Sequence, residues 1–509
     1  MPRDPENRLG ELLARARDAA LVDALLALLQ WDERTTLPIG GRAYRAEQVA
    51  RVAGQLHAIR TDPGLGDCLG ELAESPLAAD PHSDEGATIR VMRRDFERNA
   101  KIPARLVEEL ARETVLGQQA WAEARNRNEY ALFRPRLDRI LALKREQADT
   151  LGHGGARYDA MLEEYEPGAT VRELTGVLEG LRLALIPWVA EAADACRGRE
   201  ARLLGRFYSR SDQEAFGVEA AARIGFDFSR GRLDVTDHPF CTTLGPHDCR
   251  ITTRYDERFF PTAFFGILHE AGHGIYEQGL RTDWYGTPPG SFASLGVHES
   301  QSRLWENLVG RSRPFWEHHF PIAQRRFPSA LEGARLDAFL GEINMVRPSL
   351  IRVEADEATY NLHIVLRFEL EQALLDDTLS TTDLPAAWNA KYAEFLGITP
   401  PDDASGVLQD VHWSAGLFGY FPTYTIGNLL AAQIAEAYRA SDRASDAEWS
   451  RGDYTGLLEW LRREIHTRGR CFSAPELCRR ATGRELAPDA LLAHLRGKFA
   501  QAYHGHVGS

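Results

Sequence analysis

From Glu6 to about Glu200 the chain repeats one pattern, apolar residues at three- and four-residue spacing between charged ones, as in LGELLARARDAALVDALLALLQW, AYRAEQVARVAGQLHAIR and LVEELARETVLGQQAWAEAR. That period matches the turn of an amphipathic helix, whereas a strand would alternate every second residue. The chain is therefore expected to be mainly α, with residues 1–230 helical throughout. Pro/Gly clusters such as TDPGLGD and HGGARYD punctuate the helices, but no low-complexity linker or internal repeat separates them. Residues 1–509 are accordingly read as a single unit, and its 44% hydrophobic and 26% charged residues are enough for a globular core.

One stretch breaks the period. Residues 232–257, RLDVTDHPFCTTLGPHDCRITTRYDE, are rich in Thr, Val, Ile, Phe and Tyr and are interrupted by Leu244-Gly245-Pro246. This pattern predicts a β-hairpin, spanning 231–257. Helices resume after it, over 258–509, and would carry a functional site and the walls of a cleft.

Composition narrows the partners. A formal net charge of −14, with no compensating Lys/Arg run, argues against nucleic acid or an anionic membrane. The start, MPRDPENRLG, has no apolar core of a signal peptide, and ALVDALLALL is interrupted by Asp23 and too short to span a bilayer. A cytoplasmic location is expected. Six scattered cysteines without C-x-x-C pairs predict reduced thiols, although Cys241 and Cys249 flank a turn and are placed to face each other.

Chemistry concentrates in GILHEAGHGIYEQG, residues 266–279. On a helix, positions four apart share a face, so His269 and His273 can direct their imidazoles at one cation. Glu270 sits at the edge of that face, where it can take a proton from a water at the cation without being a ligand. Gly272 and Gly274 each cost about 1 kcal/mol in a helix relative to Ala, which calls for another segment in close approach.

A catalytic zinc needs a third protein ligand. The longer pattern H-E-x-x-H-x-x-G-x-x-H is absent, because Tyr276 and Gly279 stand where its glycine and third histidine belong. Downstream, VHESQSRLWENL offers His298 and Glu299, and periodicity does not choose between them.

Six blocks in order then carry a resemblance: His238-Pro239-Phe240, Asp248-x-Arg250-x-Thr252, His269 to His273, His298-Glu299-Ser300-Gln301, Ile351-Arg352-x-x-Ala355-Asp356, and Gly406-x-x-Gln409-Asp410-x-His412-Trp413. Over nearly its whole length the chain resembles the thermostable metallocarboxypeptidases of the carboxypeptidase Taq type, helical zinc enzymes that remove C-terminal residues from peptides. The resemblance implies Glu299 as third ligand with His298 beside it, Zn2+ as cofactor, a cleft-bearing helical fold and a homodimer; Co2+ is the substitute that such a donor set would also accept.

An exopeptidase of this kind must bind a free terminal carboxylate, for which the arginine fork is suited. Arg250, Arg254 and Arg352 are the candidates. Wound as one helix, SLIRVEADEATYNLHIVLRFEL puts Arg352, Asp356, Tyr360, His363 and Arg367 on a stripe enclosed by apolar arcs that include Val353 and Ile364. The block GVLQDVHWSAGLFGYFPTYTIGN offers His412, Tyr420 and Tyr424 as donors for a developing oxyanion, and Asp410 as a group that could orient a ring. His238 and Arg250 would add walls or edge hydrogen bonds. The expected function is a zinc carboxypeptidase of broad specificity acting on peptides with a free C-terminus. Its rivals are an endo-acting zinc oligopeptidase and an inactive, metal-retaining helical binding protein.

Overall fold

A computed structural model describes residues 4–152, 154–441 and 446–503. The chain is mainly α, as its periodicity predicts, with one three-stranded sheet. None of the described helices is long and apolar enough to cross a membrane. The residues cluster into two compact units, each assembled from three separated segments: Met1–Ala100, Ala201–Ile343 and Ile434–Glu485 in the first, and Lys101–Glu200, Asn344–Gln433 and Leu486–Ser509 in the second.

In the first unit, helix Phe260–Gly279 is buried on most of its surface. Its N-terminal half enters a cluster of aromatic rings in which Phe260 and Phe264 stack at 5.1 Å and meet Phe216, Trp316 and Phe327. Burying such a side chain is worth about 1.5–3 kcal/mol, so the cluster outweighs the helix glycines several times over.

The sheet has strand order β1-β3-β2, with β1 spanning Gly231–Val235, β2 Cys241–Thr243 and β3 Cys249–Thr253. The predicted hairpin exists between β2 and β3, closed by Leu244 N–H donating to Asp248 O at 2.8 Å. The expectation of a simple hairpin misses β1, which pairs in parallel with β3 from Gly231↔Cys249 to Val235↔Thr253. Pro239 in the connection lacks the N–H that would continue the strand, so the chain turns and the RLDV run joins the far edge of β3. Alternation then puts Cys249, Ile251 and Thr253 on one face, where the Cys249 thiol contacts Gly274 O of helix Phe260–Gly279 at 3.9 Å.

The second unit is organised around helix Glu357–Leu375, whose Leu362, Ile364, Leu366 and Phe368 lie in the core with Leu181, Leu185 and Trp388. This helix begins later than the sequence stripe requires. Asp356 is its N-cap, accepting from Ala358 N–H at 2.9 Å and Thr359 N–H at 3.0 Å. Arg352 lies in a separate 3-10 turn, Arg352–Glu354. An aspartate that can satisfy the first free N–H groups of a helix starts it there. Val353, expected in an enclosing apolar arc, is 71% exposed for the same reason.

Candidate functional site

His269 and His273 lie one turn apart on helix Phe260–Gly279, and Glu299 comes from helix Leu295–Arg303, capped at its start by Ser294. Glu299 Oε2 is 3.6 Å from His269 Nε2 and 3.4 Å from His273 Nε2, and the three candidate ligand atoms all lie within 4.8 Å of one another. Tetrahedral ligands at zinc-like bond lengths of about 2.0–2.1 Å stand roughly 3.3 Å apart. The spacing and the two-histidine, one-carboxylate donor set therefore fit a divalent cation.

Gly272 permits this approach. A Cβ there would lie 2.6 Å from Ser302 Cα and 2.7 Å from Gln301 O, so any larger residue would push away the helix that carries Glu299. Gly274 is held to its size by the Phe226 ring, 2.5 Å from the position of a Cβ. The two other positions of interest on the helix serve the fold. Tyr276 Oη accepts from Ala293 N–H at 3.2 Å, just before the helix of Glu299, and the His466 ring occupies the space a side chain at Gly279 would need. His466 in turn bonds Gln301 through Nε2 at 3.1 Å.

The ligands are held from behind. His269 Nδ1 is 2.9 Å from Glu306 Oε2, a carboxylate presented by a π-helical turn, Leu304–Val309. Such a partner fixes the ring's orientation and raises its basicity as a ligand. Arg303 donates to Glu299 Oε1 at 2.6 Å and to Glu306 Oε2 at 3.2 Å. The His298 ring stacks on His273 at 4.4 Å, and its Nε2 is 2.9 Å from Glu277 Oε1, while Glu277 Oε2 accepts from Thr243 of β2 at 3.1 Å.

Burial would favour a neutral Glu299, but Arg303 and the two imidazoles hold its carboxyl well below the usual range. Glu306 is likewise drawn down to about 2 against burial, chiefly by Arg303 and His269. Burial works against a charged His269, but Glu299 and Glu306 outweigh it and raise the imidazole. Burial, with His298 beside it, pushes His273 down to about 3 and leaves its ring neutral, as a ligand must be. Glu270 is 6% exposed, and burial pushes its carboxyl up to about 7.

In the second unit, Arg352, Asp410, His412, Tyr420 and Tyr424 form one cluster. Arg352 donates through Nε and Nη2 to Asp410 Oδ1 at 3.1 and 2.8 Å, and its guanidinium lies 5.1 Å from the centre of the Tyr424 ring. His412 Nε2 is 3.2 Å from Tyr424 Oη, and its ring packs on Phe421 at 4.4 Å and Tyr420 at 5.6 Å. Asp410 does not orient the His412 ring. Nδ1 is 3.9 Å away, too far for a hydrogen bond, because both Asp410 oxygens are taken by arginines.

Comparison with known proteins gives the same reading along the whole chain. The model of the family Carboxypeptidase Taq (M32) metallopeptidase matches residues 11–499. The chain belongs to the M32 family. It is 45% identical over 508 residues to thermostable carboxypeptidase 1 of Thermus thermophilus, covering 98% of this chain and 99% of that protein. Carboxypeptidase 1 of Bacillus subtilis is 36% identical over 478 residues, 94% of this chain and 95% of that one. The crystal structure of the M32 carboxypeptidase from Deinococcus radiodurans R1 superimposes with a TM-score of 0.94 at 41% identity, covering 98% of this chain and all of that one. The M32 assignment makes the chain a metallocarboxypeptidase, a peptide hydrolase.

The remaining predicted residues of this M32 chain fall elsewhere. His238 is exposed on the connection between β1 and β2. Arg250 is paired with Asp248 through two 2.9 Å bonds and lies over the Trp31 ring at 4.3 Å. Arg254 is exposed and lines a cavity of about 310 Å³ with Arg210, Tyr255 and Glu257. Cys241 and Cys249 do face each other, with sulfurs 3.7 Å apart and unbridged. Sequence reasoning missed Arg303, Glu306 and Glu277 in the first unit and Glu371 in the second. Arg303 and Glu277 stand four residues after Glu299 and His273, a spacing that would have found both.

Proposed function

We propose that the chain is a zinc-dependent carboxypeptidase of broad specificity, with His269, His273 and Glu299 as ligands, Glu270 as general base and Arg352 as anchor of the substrate's terminal carboxylate. The observation that carries the ligand assignment is the approach of both Nε2 atoms to a single oxygen of Glu299 at 3.4 and 3.6 Å. Co2+ suits the same donors. When bound, the cation acts as a Lewis acid, acidifying a water and polarising the peptide carbonyl.

Glu270 takes the water's proton on its carboxylate oxygen and then gives it to the departing amine nitrogen, so that the C–N bond breaks as the new C–O bond is kept. A carboxyl held near 7 by burial is matched to both halves of that exchange at neutral pH. Glu306 and His298 keep the His269 and His273 rings oriented. His412, Tyr420 and Tyr424 supply hydrogen-bond donors to negative charge developing on the substrate. Asp410 and Asp356 act through their neighbours, Asp410 by orienting Arg352 and Asp356 by starting helix Glu357–Leu375. His238 and Arg250, with the β2 edge, are assigned to the walls around an extended peptide.

The proposed setting is a cytoplasmic homodimer in which residues 1–509 work as one catalytic unit. The six free cysteines fit a reducing cytoplasm and the unbroken family match over 11–499 fits one catalytic unit, while the homodimer rests on the family resemblance alone. Metal analysis combined with a product time course on one peptide, with a free and with an amidated C-terminus, tests the reading. Stoichiometric zinc and stepwise shortening of the free peptide alone are expected. Equal cleavage of the amidated peptide would mean endo-acting hydrolysis.

A further inference from the structure

Arg367 is fully buried on helix Glu357–Leu375 and lies outside the six sequence blocks. All three of its guanidinium nitrogens are engaged. Nε donates to Asp410 Oδ2 at 2.7 Å, Nη1 to His363 O at 2.6 Å and Nη2 to Gln409 Oε1 at 2.8 Å, while its flat face covers the Trp388 ring at 4.6 Å. Arg352 takes the other oxygen of Asp410 and donates Nη1 to Tyr360 Oη at 2.8 Å. These bonds use three of the five N–H groups of a guanidinium, leaving one on each terminal nitrogen of Arg352.

Two guanidiniums thus share one carboxylate. The imidazoles beside them do not change the sum: burial pushes His412 down to about 4, and burial with Arg367 and Arg352 holds His363 well below its ordinary value. The cluster carries one positive charge in excess, at a place where Arg352 is 5% exposed. An uncompensated charge so far from water is costly and favours an incoming anion.

We infer that Arg367 is a positioning residue for substrate binding: by neutralising Asp410 through Oδ2 it leaves Arg352 with net positive charge and two free N–H groups for the terminal carboxylate of a peptide. This rests on the proposed role of Arg352. Without Arg367, the full charge of Asp410 falls on Arg352 and cancels its attraction for a carboxylate.

Steady-state kinetics of the metal-loaded enzyme on an N-blocked dipeptide with a free C-terminus, at about pH 6, test the inference. At that pH Glu371, one turn further along the helix and pushed up to about 7 by burial, is uncharged. Arg367→Met is expected to raise KM by about tenfold or more with kcat within about threefold, the signature of lost uniform binding. The double variant Arg367→Met/Asp410→Asn restores the net positive charge and leaves an amide oxygen to accept from Arg352, so its KM is expected to fall at least about threefold below that of Arg367→Met. A merely structural role would leave the double variant as impaired as the single one. An unchanged KM in Arg367→Met, or no recovery in the double variant, overturns the inference. If Arg367→Met does not fold, Arg367→Gln replaces it in both comparisons, with the same expected and overturning results. Arg352→Met, measured in parallel, separates the two ideas. An unchanged KM there means that Arg352 is not the anchor, whereas a raised KM there with none in Arg367→Met overturns only the role of Arg367.

Discussion

Each unit buries a cluster of charges at the groups assigned to it, and the two are built the opposite way round. In the first unit one guanidinium, Arg303, stands between two anions, Glu299 and Glu306, and a second, Arg311, approaches Glu306 Oε1 at 3.6 Å. In the second a single anion, Asp410, stands between two cations, Arg352 and Arg367. The middle residue in each case holds the two groups flanking it in place. What they have to offer is carboxylate and imidazole lone pairs in one cluster, and positive charge and N–H groups in the other. The first suits a divalent cation and the second a carboxylate, so the kind of group each cluster has left to offer, more than the number of ionic contacts, indicates what it is for.

The comparison predicts first that the two clusters fail in different ways. Glu270→Gln removes the base but none of the ligands, so turnover should fall by about 10²–10⁴-fold while bound zinc, measured by elemental analysis, stays stoichiometric. Loss of metal together with activity would place Glu270 among the ligands and undo the assignment.

A second way to sharpen the contrast uses pH. Glu371 lies one turn after Arg367 and accepts from Tyr158 Oη at 2.6 Å and Trp413 Nε1 at 2.8 Å. Burial raises its carboxyl from an ordinary 4.5 to about 7. Because the folded state holds this proton more tightly than the unfolded chain, the stabilisation is complete below about pH 4.5 and is lost as pH rises through about 7. Roughly 3 kcal/mol of pH-dependent stability is at stake. Urea unfolding of the wild type at several pH values should show that decline, and Glu371→Gln should flatten it. An equal slope in both proteins would mean that Glu371 is ionised in the fold.

The smallest expected effect is at Glu306. Replacing it with Gln leaves the three ligands intact but weakens the acceptor behind His269, and metal affinity in a chelator competition should drop about 10–100-fold. An unchanged affinity would leave the first cluster without its second anion in any functional sense.

Much of the molecule is legible in its sequence, for physical reasons that differ from residue to residue. His269, His273 and Glu270 can be read directly, because four residues is one turn of helix and the geometry is local. Glu299 becomes readable only through the family resemblance, since its approach depends on two helices crossing at Gly272. The stripe from Arg352 to Arg367 reads wrongly as one helix because periodicity continues through a cap, and only the Asp356 side chain marks where the helix begins. The parallel pairing of β1 is hidden because register between strands is a tertiary property. Glu306 escapes because its contact with His269 joins two helices, and local spacing does not report which helices pack together.

That turn has a consequence for how such a centre arises. A π-helical turn is an α-helix carrying one surplus residue, and here the surplus is marked by Gly310 N–H donating back five positions to Trp305 O at 2.9 Å. Removing residue 304 or 305 would restore ordinary winding and rotate Glu306 and the residues after it by about 100°. The carboxylate behind His269 is therefore set by chain length as well as by residue type, so that a single codon gained or lost would assemble or dismantle it with no change at any ligand.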